Sequence, residues 1–309
     1  MKLLVFGGTG FIGRNLIPVL VKEGFEVIIF SRTPDQRNQT LGSKVIKVHW
    51  DAVSGDSIIN YFSGEYGVIN LAGAGIGDKL WTKKRKDVIL SSRTRITGII
   101  SANILKSTDK PEVIIQGSAV GFYGSRPEIS INDETDKGAG FLSDVVDSWE
   151  KAVDKSLAEN TRVVFLRTGV VLGKEGGILP KLLLPFKFFA GGYPGKGNQW
   201  FPWIHIQDVV AAIVFLIKTG SASGIYNLTS PEPVQMKTFY SEISKIIKKP
   251  TWLTIPEFVF KLLPGGMGND LILTSQKVIP SRLLEAGFQF NFPDIKSALI
   301  DVLAKNKTV

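Results

Sequence analysis

The sequence predicts an α/β protein built on a doubly wound parallel sheet, and three observations carry that prediction. Short aliphatic and β-branched runs alternate with helical apolar patterns from the N-terminus well past the middle of the chain. The opening compresses strand, glycine turn, helix and second strand into about thirty residues, the size a parallel crossover needs. The polar and glycine-rich clusters also follow the apolar runs, at the strand ends where such sheets bind ligands.

Lys2-Leu3-Leu4-Val5-Phe6 reads as the first strand, and Gly7-Gly8-Thr9-Gly10-Phe11-Ile12-Gly13 as the turn after it. A helix follows, with apolar Leu16, Val19 and Leu20; Gly24 stops it, and Val27-Ile28-Ile29-Phe30 starts a second strand. The glycines have separate tasks. Gly7 permits the tight turn, Gly10 lets backbone N–H groups approach a pyrophosphate, and Gly13 lets the helix pack close on the strand. The helix N-terminus adds a partial positive charge that favours phosphate. This is a Rossmann-type dinucleotide site, expected to be formed by Gly7, Thr9, Gly10, Phe11, Ile12 and Gly13.

The second strand ends at Ser31-Arg32. A carboxylate there usually holds the ribose 2′-hydroxyl of NAD, whereas an arginine accommodates the 2′-phosphate of NADP. The carboxylate is absent, and Arg32 has Arg14 nearby at the start of the helix, so NADP(H) is the expected cofactor. Residues 33–44 read as a polar loop and 45–50 as strand three, followed by Asp51, a candidate for the adenine amine. Residues 67–70 form strand four, and Leu71-Ala72-Gly73 is a small-residue exit where backbone can approach the cofactor. A long helix is expected over 83–106, carrying Arg93 across the cofactor side. Strand five, 113–116, leads into Ser118 and Tyr123; a polar loop over 125–140, a helix over 141–159 and strand six over 163–166 come next.

Beyond Gly173 the texture changes to a Lys-punctuated apolar helix over 179–189, a turn-rich stretch, and a helix over 209–217 for which Asp208 looks like the N-cap. Residues 224–228 form a further short strand. The expected organisation is a nucleotide-binding domain over 1–230 and a smaller C-terminal domain over 231–309 on the substrate side, with 173–205 contributing to that lobe.

Composition narrows the function. The chain has 309 residues, 44% hydrophobic and 21% charged, which is ordinary globular composition. It has no cysteine and two histidines, His49 and His205, which excludes disulfides and leaves no zinc or other metal site expected. No apolar run approaches the roughly 20 residues of a membrane span, the glycines and Arg14 rule out reading the start as a signal peptide, and the expected location is cytoplasmic. The net charge of +9 comes without a nucleic-acid motif and is accounted for by attraction of an anionic cofactor and substrate. Neither nucleic acid nor membrane is expected as partner. The sequence does not fix the oligomeric state; a homodimer through the helices at 83–106 and 141–159 is one assembly it leaves open.

These motifs recur together in a known family. Gly7-Gly8-Thr9-Gly10-Phe11-Ile12-Gly13, with glycines at every third position, Asn70-Leu71-Ala72-Gly73, Ser92-Arg93, Trp149-Glu150, Arg167-Thr168-Gly169-Val170-Val171-Leu172-Gly173, Trp203-Ile204-His205-Ile206-Gln207-Asp208 and Gln276-Lys277-Val278-Ile279-Pro280 appear in order. They resemble the atypical, extended short-chain dehydrogenase/reductases called epimerase-family or YfcH-like proteins, over nearly the whole chain. Residues 251–303 resemble that family's C-terminal domain of unknown function. The resemblance implies NADP contacts at Arg32, Leu71, Ala72, Arg93 and Val171 beside the glycine turn. Members are described through the epimerase/dehydratase relationship, and some as cell-division-inhibitor-like.

Ordinary members of the superfamily use a Ser, a Tyr and a Lys, the last two one turn apart on a helix. Aligned through Glu150, those two positions fall at Leu142 and Val146, so the pair is missing, while Ser118 matches the serine and Tyr123 the Tyr-Gly that follows it in epimerases. Three readings follow: an NADP-dependent oxidoreductase or epimerase of unknown substrate with a rearranged acid/base drawn from Ser118, Tyr123 or His205; a non-catalytic NADP(H)-binding sensor, regulatory or assembly protein; and an interaction scaffold with a structural cofactor. The bland alternatives are a strand-end hydroxyl for Ser118, a packed aromatic for Tyr123, a helix brace for His205 and an ion-pair partner for Arg167.

Overall fold

In a computed structural model, residues 1–32, 44–51, 58–174 and 176–304 are described. The expected loop after Arg32 thus lies almost wholly outside the described residues. β1 (Lys2–Phe6), β2 (Glu26–Ser31), β3 (Val45–His49), β4 (Tyr66–Asn70), β5 (Val113–Ala119), β7 (Arg162–Thr168) and β12 (Gly224–Leu228) form one sheet in the order β3-β2-β1-β4-β5-β7-β12. Every pairing in it is parallel. The sheet has seven strands, with residues 224–228, the further short strand, at its edge. Its inner strands are unbroken apolar runs because both faces are covered. α1 (Phe11–Lys22) and α5 (Ile206–Lys218) cover one face through Leu16, Leu20, Val209 and Ile213; α2 (Lys83–Lys106) covers the other through Ile100 and Ile104. This is the Rossmann-like arrangement the sequence predicts.

Three expectations are corrected. The stretch read as a polar loop contains β6 (Arg126–Ile131), which pairs in parallel with β15 (Gln276–Val278). Its periodicity is invisible because only Ile131 is buried and its partner lies far along the chain. The helix expected over 141–159 ends earlier: α3 spans Phe141–Lys151, and a separate 3-10 turn covers Lys155–Glu159. Asp154 restarts the chain there, accepting from Ser156 N at 2.9 Å. α5 begins at Ile206, and its cap is the His205 ring, whose Nδ1 accepts from Gln207 N at 3.2 Å.

Asp208 is instead a clamp. Fully buried, its carboxylate accepts from Asn291 N at 2.7 Å, Asn291 Nδ2 at 3.0 Å and Phe292 N at 3.0 Å, fastening the segment before α9 (Ile295–Leu303) to the sheet. Asp133 does the same at the far edge, taking Asn227 N at 2.5 Å and Arg282 N at 3.1 Å. Burial raises the Asp133 carboxyl above its ordinary value, against the pull of these hydrogen bonds. A further core joins α4 (Leu179–Lys187), α6 (Met236–Ile247) and α9 through Phe186, Phe239, Tyr240 and Leu299. No helix among the described residues is long and apolar enough to cross a membrane.

Asp208→Ala leaves three donors, two on the exposed Asn291 and one on the half-buried Phe292, without their acceptor, and its expected cost is about 1–3 kcal/mol. Urea unfolding checks this; a loss below about 1 kcal/mol would mean that water replaces the carboxylate.

Candidate functional site

The strand ends converge around the turn between β1 and α1. Gly7 has φ +82°, and a Cβ there would lie 2.6 Å from the Leu71 carbonyl carbon and 2.8 Å from Ala72 N. A Cβ on Gly13 would lie 2.5 Å from Gly8 O and 2.6 Å from Gly7 O. Both positions are closed to any side chain, so the turn presses directly on the exit of β4. Gly10 begins α1 without a side-chain cap, and no acidic residue occupies the first turn. Nothing from the cap residue therefore covers the first N–H groups of the helix, at Phe11, Ile12 and Gly13. Thr9 and Gly10 are exposed beside them.

The neighbouring candidates close around this turn. Leu71 N donates to Phe6 O at 2.8 Å, and Ala72 N to Asn70 Oδ1 at 3.2 Å. The Arg93 guanidinium lies under Gly73, where a Cβ would come within 3.1 Å of its Cζ. It donates to Ala74 O at 3.0 Å and lies 5.1 Å from the Trp149 ring centre. Burial, with Arg85 adding to it, lowers its pKa to about 10, so it stays charged at neutral pH. The Phe11 ring packs on the glycines at 173, 176 and 177, next to Val171 at the middle of β8 (Val170–Leu172). Ser31 ends β2, with Arg32 exposed just beyond it; Asp51 follows β3 by two residues.

Sequence reasoning missed the buried polar frame beneath these residues. Asn70 Nδ2 donates to Thr97 Oγ1 at 2.9 Å and to Gln116 Oε1 at 3.0 Å, and Trp149 Nε1 donates to the same Thr97 oxygen at 3.1 Å. One amide thus locks β4, β5, α2 and α3 in place. No periodicity reveals it, since each member reads locally as an interior residue of its own strand or helix.

A second cluster stands at the ends of β5 and β7. The parallel register sets Ser118 opposite Arg167. Ser118 Oγ donates to Glu150 Oε1 at 2.5 Å, and Arg167 grips the same carboxylate with Nε on Oε1 and Nη2 on Oε2, both at 2.9 Å. Arg167 is almost wholly inaccessible, whereas the Glu150 side chain keeps 13% of its surface exposed. The guanidinium stacks on Phe122, 3.5 Å from the ring centre, with the Tyr123 ring alongside at 4.9 Å. Its Nη1 is buried without an acceptor in hydrogen-bond geometry. Burial depresses the Arg167 pKa, but Glu150 and Tyr123 outweigh it and hold the guanidinium above its ordinary value. Glu150 entered the sequence argument only as an alignment anchor; the tertiary structure makes it the partner of both Ser118 and Arg167.

Tyr123 and His205 point elsewhere. Tyr123 is fully buried, donates to Asn227 Oδ1 at 2.6 Å, and has its pKa raised by burial against the charge of Arg167. His205 is fully buried, with Nδ1 on the α5 backbone, the ring 3.8 Å from that of Phe292, and Nε2 3.2 Å from Asp301 Oδ2 without hydrogen-bond alignment. Burial lowers its pKa. Leu142 and Val146 face the turn after Ser118, 3.3 and 3.7 Å from where a Cβ on Gly121 would stand. No group of three or more His, Cys, Asp or Glu that could hold a metal occurs among the described residues.

Residues 3–229 match the NAD dependent epimerase/dehydratase family. The chain belongs to that family. Residues 255–302 match a domain of unknown function, DUF1731, that follows it. Epimerase family protein YfhF of Bacillus subtilis is 37% identical, with both chains covered completely. The chloroplastic SDR39U1 homologue of Arabidopsis thaliana is 34% identical over 97% of this chain and 86% of its own. The crystal structure of human epimerase family protein SDR39U1 with NADPH superposes with a TM-score of 0.85 at 30% identity, covering 98% of this chain and 99% of that one.

Glu150→Ala would leave Arg167 charged, buried and unpaired, with an expected cost of about 3–5 kcal/mol. Glu150→Gln, which keeps an acceptor oxygen, should cost less. Chemical denaturation of both variants decides it; equal losses would mean that volume rather than charge holds the cluster.

Proposed function

We propose that the chain binds NADP(H) across the strand ends and acts there as an oxidoreductase or epimerase with a rearranged proton-transfer group. The observation that carries the reading is the turn at Gly7 and Gly13, closed to any Cβ and pressed on Leu71 and Ala72 beside an uncapped helix start. That cradle fits a pyrophosphate approached by backbone alone. Gly7, Thr9, Gly10, Phe11, Ile12 and Gly13 would hold the phosphates; Leu71, Ala72, Gly73 and Val171 would bracket the rest, with Arg93 bracing Gly73 from below. Ser31 and Arg32 would receive the 2′-phosphate, and Asp51 the adenine. The human relative whose structure contains NADPH supports the same choice.

When bound, the nicotinamide supplies or accepts a hydride. The chain must then move a proton at the substrate oxygen. Ser118 is the group we assign to it: as Oγ takes a proton from a substrate hydroxyl, its own proton passes along the existing hydrogen bond to Glu150 Oε1, and the reverse path serves reduction. Arg167 keeps the carboxylate fixed in two places. In this reading Tyr123 and His205 are positioning residues, since each is buried with its polar end held by the protein.

A second reading rests on Leu142 and Val146. Apolar side chains fill the place of the usual Tyr and Lys, as expected of an NADP(H)-binding sensor that has lost its chemistry. Deuteride transfer from labelled NADPH to a broad panel of carbonyl compounds separates the two. Transfer that fails in Ser118→Ala supports the enzyme, and no transfer across the panel favours the sensor.

Cofactor choice has its own test. In calorimetric titration, Arg32→Ala should weaken NADPH binding by about 1.5–3 kcal/mol, the range for a hydrogen bond to a charged group, and leave NADH binding unchanged. Failure of the wild type to bind any of NADPH, NADP⁺ or NADH would sink both readings.

A further inference from the structure

Three exposed aromatic residues stand together, the neighbours Phe188 and Phe189 with Trp252, whose indole bonds the Phe189 carbonyl. Of the chain's 19 Phe and 6 Trp, those standing exposed are Phe188, Phe189, Trp252 and Phe258, at 74%, 60%, 69% and 64%. They come from the end of α4, from β14 (Thr251–Ile255) and from α7 (Glu257–Lys261), where β14 pairs with β9 (Gly191–Pro194). Scattered single apolar residues are ordinary on a surface; a group of this size marks an interaction site.

The backbone beneath the group is unusual. Among the described residues, only two other than glycine have positive φ: Phe189 at 57° and Lys248 at 54°. Both follow a helix, where glycine normally takes that conformation. Phe and Lys hold it at a conformational cost, and such strain concentrates where function requires a side chain. The two turns are tied together. Trp252 Nε1 donates to Phe189 O at 3.1 Å, while Lys249 Nζ donates to Lys187 O at 3.3 Å and stands 4.6 Å from the Phe189 ring centre. The indole N–H already has its acceptor, so covering the patch with apolar matter strands no donor there.

The surrounding charge is mainly positive; Glu257, packed against Gly195, is paired with Lys261, and Glu242 with Lys245. Residues 176–199 and 243–256 contain Lys181, Lys187, Lys196, Lys245, Lys248 and Lys249 and no aspartate or glutamate. Lys181 reaches Asp78 and Lys245 reaches Glu242; the other four have no carboxylate partner among the described residues. A second copy of this chain would bring lysines against lysines. Exposed Phe and Trp amid lysines, whose long stems can lie along apolar matter while their ammonium groups stay wet, fit an anionic lipid surface.

We propose that this face is a membrane-surface dock that seats the chain on anionic phospholipid, with Phe188, Phe189 and Trp252 entering the interface and Lys187, Lys248 and Lys249 on the headgroups. The inference stands apart from the cofactor reading, because none of these residues belongs to the site at the strand ends.

Co-sedimentation of the intact protein with phosphatidylcholine vesicles, with and without phosphatidylglycerol, tests it. Binding is expected only with phosphatidylglycerol and should fall as salt rises. The joint change Lys187→Glu and Lys248→Glu should lower the vesicle partition coefficient by roughly twentyfold, at about fivefold for each lysine near an anionic surface. Wild-type tryptophan emission should shift to the blue on vesicles, and Trp252→Phe should bind but lose the shift. No pelleting on either vesicle at low salt, pelleting indifferent to the charge reversal, or a blue shift that survives Trp252→Phe would each overturn the proposal. So would polyuridylate binding without vesicle binding, or a dimer that Phe188→Ser dissolves. Far-UV circular dichroism of each variant verifies the fold, and the wild-type salt dependence decides the matter without any substitution.

Discussion

The structure depends on the close approach of the first helix to the ends of β1 and β4. Gly7 and Gly13 occupy places where a single Cβ would overlap backbone atoms, so the spacing of turn, helix and neighbouring strand is set at van der Waals contact. With nothing but backbone at the contact, the N–H groups at the helix start remain free for an anion. The Phe11 side chain, pushed the opposite way, becomes the platform for the glycines at 173, 176 and 177. One steric constraint therefore joins the first and last parts of the strand-end surface.

Beneath that surface, the buried polar groups are paired almost completely, and the pairing distributes rigidity. Asn70 uses both amide hydrogens and its carbonyl, joining two strands to two helices and fixing Ala72 N where the chain leaves β4. Ser118, Glu150 and Arg167 form a second fixed unit. The exceptions include Gln199 Oε1, His205 Nε2 and Arg167 Nη1, each buried with no partner in hydrogen-bond geometry. Solvation of a guanidinium is expensive to remove, and the Phe122 face against which this one stacks returns part of that cost. The site thus combines a backbone cradle, which tolerates no side chain, with a charged triad, which tolerates no missing partner.

The C-terminal elements are fastened by charges as much as by apolar packing. The Asp208 and Asp133 carboxylates each collect backbone N–H groups from distant segments. α4, β14 and α7 carry exposed apolar side chains, among them Leu184, Trp252 and Phe258.

Local pattern in the chain was enough for the sheet class, the glycine turn, the long helix over Lys83–Lys106 and the strand-end grouping of the candidate cofactor residues. Each of these depends on local periodicity or on a short fixed spacing, which the chain carries wherever it folds. Alignment with the resembling superfamily through Glu150 also set Leu142 and Val146 at the places of its usual Tyr and Lys. Only the tertiary structure decided that β6 is a strand, that His205 rather than Asp208 caps α5, that Tyr123 turns inward to Asn227, and that Glu150 joins Ser118 to Arg167. Those outcomes depend on partners tens to more than a hundred residues away. A polar side chain has several acceptable neighbours, and packing alone selects among them.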